Sequence, residues 1–391
     1  MSDYLKEALD LFEFTRLHRR DLHRHPELGF QEIRTAGIIA GELQSLGLEV
    51  TTGIAKTGVI ALLEGEQPGP VVMLRFDMDA LPIHEETGAE YASETPGLMH
   101  ACGHDGHVAI GLTVARLLYH CRHELAGIVK LVFQPAEEGL GGAESMVAEG
   151  VLENPRPDLA LGLHLWNDKP CGWLGISEGP VMAASEVFDL NITGKGGHGA
   201  LPHLAIDPVL AAAQVITALQ SVVSRNVPPL ETAVVSVTSI HGGDTFNVIP
   251  KEVKLLGTIR SFSPAVRQTV LDRFEKLVTG VVEAMGCQVV IQYKSITPPV
   301  INHPQITAAV REVAEQALPA ALIDTAFSTM GSEDMAFLMQ EIPGCYFFVG
   351  SANHEKGLDA PHHHPRFDID EAALPLAAGL MASAAAAFLK G

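Results

Sequence analysis

The chain has 391 residues, 47% of them apolar and 19% charged, and carries a formal net charge of -21 from 26 Lys plus Arg against 47 Asp plus Glu. That length suits two or three domains of about 150 residues each, and the composition is that of a globular protein with an ample core. An acidic chain without any run of Lys or Arg excludes nucleic acid as a partner, and with only 6% aromatics the core falls to Ala, Val, Leu and Ile.

Five scattered cysteines, Cys102, Cys121, Cys171, Cys287 and Cys345, read as reduced thiols of a cytoplasmic protein and not as a disulfide framework. The stretch 3–24 is charged, so no signal peptide is expected. The Ala-rich stretch 374–389 contains Pro375 and Gly379 and is too short for a bilayer, so it reads as a buried terminal helix and no membrane partner is expected.

In chain order, apolar residues recur at helical spacing over 4–23 and 34–46. A strand follows at 71–76, a helix over 108–120, and strands at 128–133 and 159–163. Strands alternating with helices predict an α/β fold with a mixed, mostly parallel sheet flanked by helices. From 185 the pattern changes. A strand at 188–193, an Ala-rich helix at 207–223, strands at 233–240 and 253–260, a helix at 266–285 and a strand at 288–293 give the β-α-β-β-α-β order of a ferredoxin-like α+β unit. Gly179-Pro180 and Pro298-Pro299 punctuate its two ends. The α/β pattern then resumes with a helix over 305–317, a strand at 346–350 and the terminal helix. The chain therefore reads as a discontinuous catalytic domain, 1–184 and 296–391, with a smaller domain inserted at 185–295.

Each strand of the first part ends in polar residues able to do chemistry. These are Asp77-Met78-Asp79-Ala80-Leu81-Pro82, Gln134-Pro135-Ala136-Glu137-Glu138-Gly139 and His164-Leu165-Trp166. Ligands of open α/β sheets sit beyond the carboxyl ends of strands, so these tips are expected to face one crevice. His100-Ala101-Cys102-Gly103-His104-Asp105-Gly106-His107 packs one thiol and three imidazoles into eight residues before a helix. Thiolate and imidazole are ligands for zinc, nickel, cobalt and, less strongly, manganese. The alternative, a polar loop capped by Asp105, loses weight because acidic and His tips accompany it. Glu137 and Glu138 are adjacent and point different ways, so one can bind a metal while the other takes a proton from water. A lone His164 is more often a hydrogen-bonded core residue, and other ligands are what would recruit it. Of His362-His363-His364 at most two can face one site. In the insertion, Gly194-Lys195-Gly196-Gly197-His198-Gly199 lacks the ending of a phosphate loop and reads as a backbone that presents His198. Asn247 and Arg260 are candidates for a substrate carboxylate, Arg260 for a bidentate grip.

Taken together these segments resemble the metal-dependent amidohydrolase and carboxypeptidase superfamily that includes aminoacylases and carboxypeptidase G. The branch most similar contains hippurate hydrolase and the auxin-conjugate (indole-acetyl amino acid) hydrolases. Leu22-His23-Arg24-His25-Pro26-Glu27, Gly331-Ser332-Glu333-Asp334 and His363-His364-Pro365 extend the resemblance along nearly the whole chain. It implies two divalent metal ions (Mn, Zn, Ni or Co), with Cys102 bridging them where other branches carry an Asp. His104, Glu138, His164 and His363 are implied as the other ligands, with His362 or His364 as competitors for the last place. Asp77 stands where other branches carry a ligand His. The resemblance makes Glu137 the general base, Asp79 the carboxylate that orients the ligands, and His198 the histidine of a lid domain that meets the substrate carbonyl. It also implies a homodimer or higher homo-oligomer built on the inserted domain.

The expected reaction is hydrolysis of the amide bond of an N-acyl amino acid by metal-activated water. A dipeptidase, or a deacetylase of N-acetylated diaminopimelate or cysteine, shares the same metal centre and is the alternative. A metal-binding protein without catalysis would have no use for the unliganded carboxylate of Glu137.

Overall fold

The computed structural model describes residues 3–390. The chain divides into two compact units. One comprises the chain up to Val181, Val300–Ser328 and everything from Asp334 onward; the other comprises Met182–Pro299 and Thr329–Glu333. The return of Thr329–Glu333 to the inserted unit is held there by a Met182–Thr329 bridge and an Ala183 N–H to Gly331 carbonyl bond. Nothing in the local sequence pattern announces it.

The larger unit is built on an eight-stranded sheet. Its order is Glu49–Ile54, Gly58–Glu64, Ala126–Gln134, Gln67–Asp77, Leu159–Pro170, Gly344–Ala352, Trp173–Gly175, Leu322–Asp324. The four central strands run parallel, and antiparallel pairs occur towards both edges. The sheet is mixed with a parallel centre, as expected. Buried on both faces, the central strands read as continuous apolar runs: Gly344–Ala352 has no exposed residue. The edge strand Glu49–Ile54 and its neighbour Gly58–Glu64 escaped the sequence reading. A bulge between Thr52 and Ile54 breaks the alternation of the first.

Helix His104–His120 lies flat on this sheet with fourteen of its residues buried. It starts four residues before its apolar pattern does, because the first turn is made of His104, Asp105, Gly106 and His107. Gly103 caps it in the left-handed region (φ 91°), where a side chain would be strained. The Ala-rich helix Ala373–Phe388 packs on the helices Tyr4–Asp10 and His104–His120. The N-terminal helical pattern is broken at Leu11 into Tyr4–Asp10 and Phe12–Arg24. Among the described residues no helix is long and apolar enough to cross a membrane.

The inserted unit is a four-stranded antiparallel sheet ordered Ala233–His241, Glu252–Ser261, Ala184–Thr193, Gln288–Thr297, with helices Pro208–Asn226 and Pro264–Ala284. Phe188, Leu190, Ile192, Val253, Leu255 and Ile259 point from the strands into a core shared with Val215, Leu219, Phe274 and Val278 of the helices. Asp207 starts the first helix by accepting the Val209 and Leu210 N–H groups, with Pro208 in the first turn.

The close seat of helix His104–His120 on the sheet depends on Gly111. A Cβ there would lie 2.7 Å from both the Phe76 and Phe133 rings. Gly111→Ala is expected to destabilise the protein by about 1–3 kcal/mol through overpacking. Gly37→Ala, in a helix where nothing lies within 4 Å of the new Cβ, is expected to be stabilising by up to about 1 kcal/mol. Urea unfolding of both variants checks the contrast; equal shifts would show that the seat is not close.

Candidate metal centre

The carboxyl ends of the central strands carry the site, because Asp77 and Gln134 are the last residues of adjacent parallel strands and are register partners. His164 stands on the next strand, opposite Phe348. The first turn of helix His104–His120 and the turn after Gln134 supply the remaining groups.

Two triplets of ligand-type atoms lie within 4.8 Å of one another: Cys102, His104 and His164; and Cys102, Glu138 and His363. They share the Cys102 thiol, so one sulfur stands between two sets of donors. Main-chain carbonyls fix the imidazoles. The His104 Nδ1–H donates to the Asp79 carbonyl at 2.9 Å and the His164 Nδ1–H to its neighbour Leu165 at 2.7 Å. Both therefore turn an Nε2 lone pair inward; that of His164 is 3.5 Å from Cys102 Sγ. His363 is held by a left-handed backbone (φ 64°) and an N–H bond to Ala101, and its Nε2 is 3.2 Å from Glu138 Oε1. Hydrogen bonding to Cys102 and Glu138 pushes its pKa up to about 10.

Three other histidines of the two motifs are committed elsewhere, whereas neither ring nitrogen of His100 has a hydrogen-bond partner among the described residues. His107 donates from Nδ1 to Asp77 at 2.5 Å and accepts the Leu165 N–H at Nε2. His362 donates from Nε2 to the Leu165 carbonyl and stacks on Trp166, its ring centroid 4.7 Å away; burial pushes its pKa down to about 4. His364 Nδ1 accepts the Arg366 N–H. His100 is buried and burial pushes it down to about 4, so it is neutral.

Asp79 joins the two halves of the site. Its Oδ1 accepts the Glu137 N–H at 3.0 Å and its Oδ2 the Glu138 N–H at 3.1 Å, while its carbonyl holds His104. Glu137 Oε1 is approached by the Asp334 N–H at 3.4 Å. Asp334 in turn accepts from Gln134 (2.6 Å), Arg75 (3.1 Å) and the Ala143 N–H (2.9 Å), tying the entry of the Glu137–Glu138 turn to its exit.

Two buried charge networks back the site. In one, Arg75 bonds Asp77, Gln134 and Asp334. Burial alone would raise the Asp77 carboxyl, but His104, His107 and Arg75 hold it well below the usual range. Asp77 is thus spent on His107 and Arg75. In the other, Asp105 accepts from Arg19 and His23, both at 2.8 Å, and Arg19 reaches Asp368 at 2.6 Å. Sequence reasoning did not single out Arg75 or Arg19. A charged residue inside an otherwise apolar strand, Val72 to Phe76, was the available signal for Arg75.

The inserted unit carries the other three candidates. His198 is exposed on a short strand, Gly197–His198, paired with Val248–Ile249; its Nδ1 accepts the Ala200 N–H, which leaves Nε2–H as the free donor. Asn247 accepts the Gly199 N–H through its carbonyl and is exposed. Arg260 contacts the Thr258 hydroxyl and the Ile259 carbonyl. Among the described residues it has no carboxylate partner.

The donor set fits divalent ions. His104 Nε2 is buried without a hydrogen-bond partner among the described residues, a costly state that a cation relieves. Thiolate, imidazole and carboxylate together suit borderline metals. With the geometry in view, comparison with known proteins is direct. The model of peptidase family M20/M25/M40 matches residues 73–387. N-acetyl-L-cysteine deacetylase of Bacillus subtilis (strain 168) is 43% identical over 91% of this chain and 83% of that protein. IAA-amino acid hydrolase ILR1-like 4 of Arabidopsis thaliana is 40% identical over 98% and 88%. The crystal structure of the Bacillus subtilis YXEP protein, described as a dinuclear metal-binding peptidase of the M20 family, superposes with a TM-score of 0.85 at 36% identity, covering 97% and 99% of the two chains. The chain belongs to peptidase family M20/M25/M40 and is a metal-dependent amidohydrolase.

Proposed function

We propose that this hydrolase cleaves the amide bond of N-acyl amino acids, hippurate-like or related conjugates, with two divalent ions per chain held by Cys102, His104, Glu138, His164 and His363. The observation that carries the reading is the sharing of Cys102 between two ligand triplets with a further carboxylate, Glu137, within 4.8 Å of His104 and Glu138. Manganese, zinc, nickel and cobalt all suit these donors. Bound ions of this kind polarise an amide carbonyl and make water acidic enough to deprotonate near neutral pH.

The residues of the chain do the rest. Asp79 fixes the backbone of Glu137, so that its carboxylate takes a proton from the attacking water and returns it to the leaving nitrogen. His198 is assigned the substrate carbonyl through Nε2–H, where charge develops. Asn247 and Arg260 are assigned the substrate carboxylate, and the absence of an acidic partner for Arg260 among the described residues supports this. Five scattered cysteines that form no disulfide framework support a reducing, cytoplasmic setting. Exposed Val209 and Leu210 on the insertion support a homo-oligomer. The likeness to N-acetyl-L-cysteine deacetylase favours a second reading, removal of a small acyl group.

A substrate panel decides between them. Hippurate, indole-acetyl amino acids, N-acetyl amino acids and dipeptides are offered to chelated protein with and without each of the four metals. Metal-dependent release of amino acid from the bulky acyl conjugates is expected; release only from N-acetyl substrates selects the deacetylase, and only from dipeptides the peptidase. Silence of the whole panel, with two ions bound, rejects the reading.

Glu137→Gln is expected to lower kcat by about 10²–10⁴-fold with two ions still bound by elemental analysis. Loss of an ion instead would make Glu137 a ligand. The His triplet is tested the same way: His363→Ala should cost one of two ions, and His362→Ala none, since its ring serves the Leu165 carbonyl and Trp166. The reverse pattern would move the ligand to His362.

A further inference from the structure

The turn that carries Glu137 and Glu138 is held from a second side by a residue far away in sequence. Glu32 is fully buried, at 0% exposure, and precedes the helix Ile33–Ser45. Its side chain does not cap that helix. It reaches instead to the Ala136 N–H, which it accepts through Oε1 at 2.9 Å, while the Thr57 hydroxyl donates to Oε2 at 2.6 Å. Ala136 is itself completely buried and sits at φ 55°, the left-handed region that a residue with a Cβ occupies only when its surroundings impose it.

The turn follows from that conformation. With Ala136 left-handed, the next two N–H groups both point at Asp79, one at each carboxylate oxygen. The Ala136 carbonyl accepts the Gly142 N–H at 3.0 Å, which closes the loop onto the following helix. The segment around Glu32 also packs tightly here: a Cβ on Gly29 would lie 3.0 Å from both Cα and Cβ of Ala136. Three consecutive N–H groups, 136 to 138, therefore donate to two buried acids, and only one of those acids belongs to a strand tip of the site.

We propose that Glu32 is a positioning residue for the reaction: by accepting the Ala136 N–H it holds the left-handed turn that aims the Glu137 and Glu138 carboxylates. This rests on the roles proposed for those two carboxylates. Glu32 touches neither substrate nor metal, and its effect passes through one backbone amide.

The test compares Glu32→Ala, Glu32→Gln, Ala136→Gly and the double variant Glu32→Ala/Ala136→Gly. Metal affinity is read by competition with a chromophoric chelator, and kcat and KM on whichever substrate the wild type cleaves. Loss of such an outer partner typically costs about 10–100-fold in metal affinity or activity. Glu32→Ala is expected to show that loss in metal affinity and in kcat, with KM within threefold of wild type. Glu32→Gln keeps a carbonyl oxygen for Ala136 and is expected within threefold on all three quantities. Glycine adopts the left-handed turn unaided, so Ala136→Gly is expected to restore at least threefold of kcat in the Glu32→Ala background and to change little alone. Metal affinity and kcat within threefold of wild type in Glu32→Ala would overturn the proposal, as would equal damage from Gln and Ala with no rescue by glycine. If Glu32→Ala does not fold, Thr57→Val removes the hydroxyl that anchors Glu32, and unchanged metal affinity there overturns it as well. Metal affinity needs no substrate, so failure of the substrate panel and failure of this proposal are separate results.

Discussion

Backbone amides donating into buried carboxylates are the interaction on which this site depends. A carboxylate cut off from water is costly unless donors surround it, and here the donors are the N–H groups of the turn 136–138 and of Ala143. The bargain is mutual. Glu32, Asp79 and Asp334 find their partners, and a turn with no regular hydrogen-bond ladder of its own gains a single conformation. Anchoring the turn through its main chain fixes the backbone from which the Glu137 and Glu138 side chains project.

Charge is balanced in the same region by two arginines that never reach the site. Arg75 neutralises Asp77 and Asp334 beneath the strand tips, and Arg19 neutralises Asp105 and Asp368 behind the helix that carries His104. Each guanidinium is fully buried, where its fixed charge and planar fork suit several acceptors at once. Removing one partner of such a group leaves the other unpaired and buried, at a cost of about 3–5 kcal/mol. The donors inside the site are left with excess negative character. His363 shows it: Cys102 and Glu138 raise its affinity for a proton, and a divalent cation competes for the same electron pairs.

The α/β class, the inserted ferredoxin-like unit and the gathering of polar strand tips were legible because each rests on a short repeating pattern or on residues adjacent in sequence. The strand tips after Phe76 and Phe133 were read from their own chemistry, and the resemblance to a family assigned their roles. Elements whose chemistry overrides their pattern were harder to read. The first turn of helix His104–His120 carries polar, reactive residues, so the apolar period begins only at Val108. Glu32 and Arg75 were not read at all. A carboxylate that works through a backbone amide 104 residues later leaves no local trace, and an arginine inside an apolar strand looks like an interruption of it.

The histidines show why spacing alone could not choose ligands. Six of them, His100, His104, His107, His164, His362 and His363, crowd the same region, and all have the same side-chain chemistry. What separates them is which ring nitrogens are already engaged; among the described residues neither nitrogen of His100 is. His104 and His164 give Nδ1–H to main-chain carbonyls and so keep Nε2 as an inward acceptor. His107 spends both nitrogens, on Asp77 and on the Leu165 amide, and His362 spends Nε2 on the Leu165 carbonyl. Leu165 alone thus addresses three rings: its carbonyl receives His164 and His362, and its amide is received by His107. The orientations of His107, His164 and His362 are set by the main chain of one residue of the strand Leu159–Pro170, and that of His104 by the Asp79 carbonyl, arrangements that exist only once the sheet has formed.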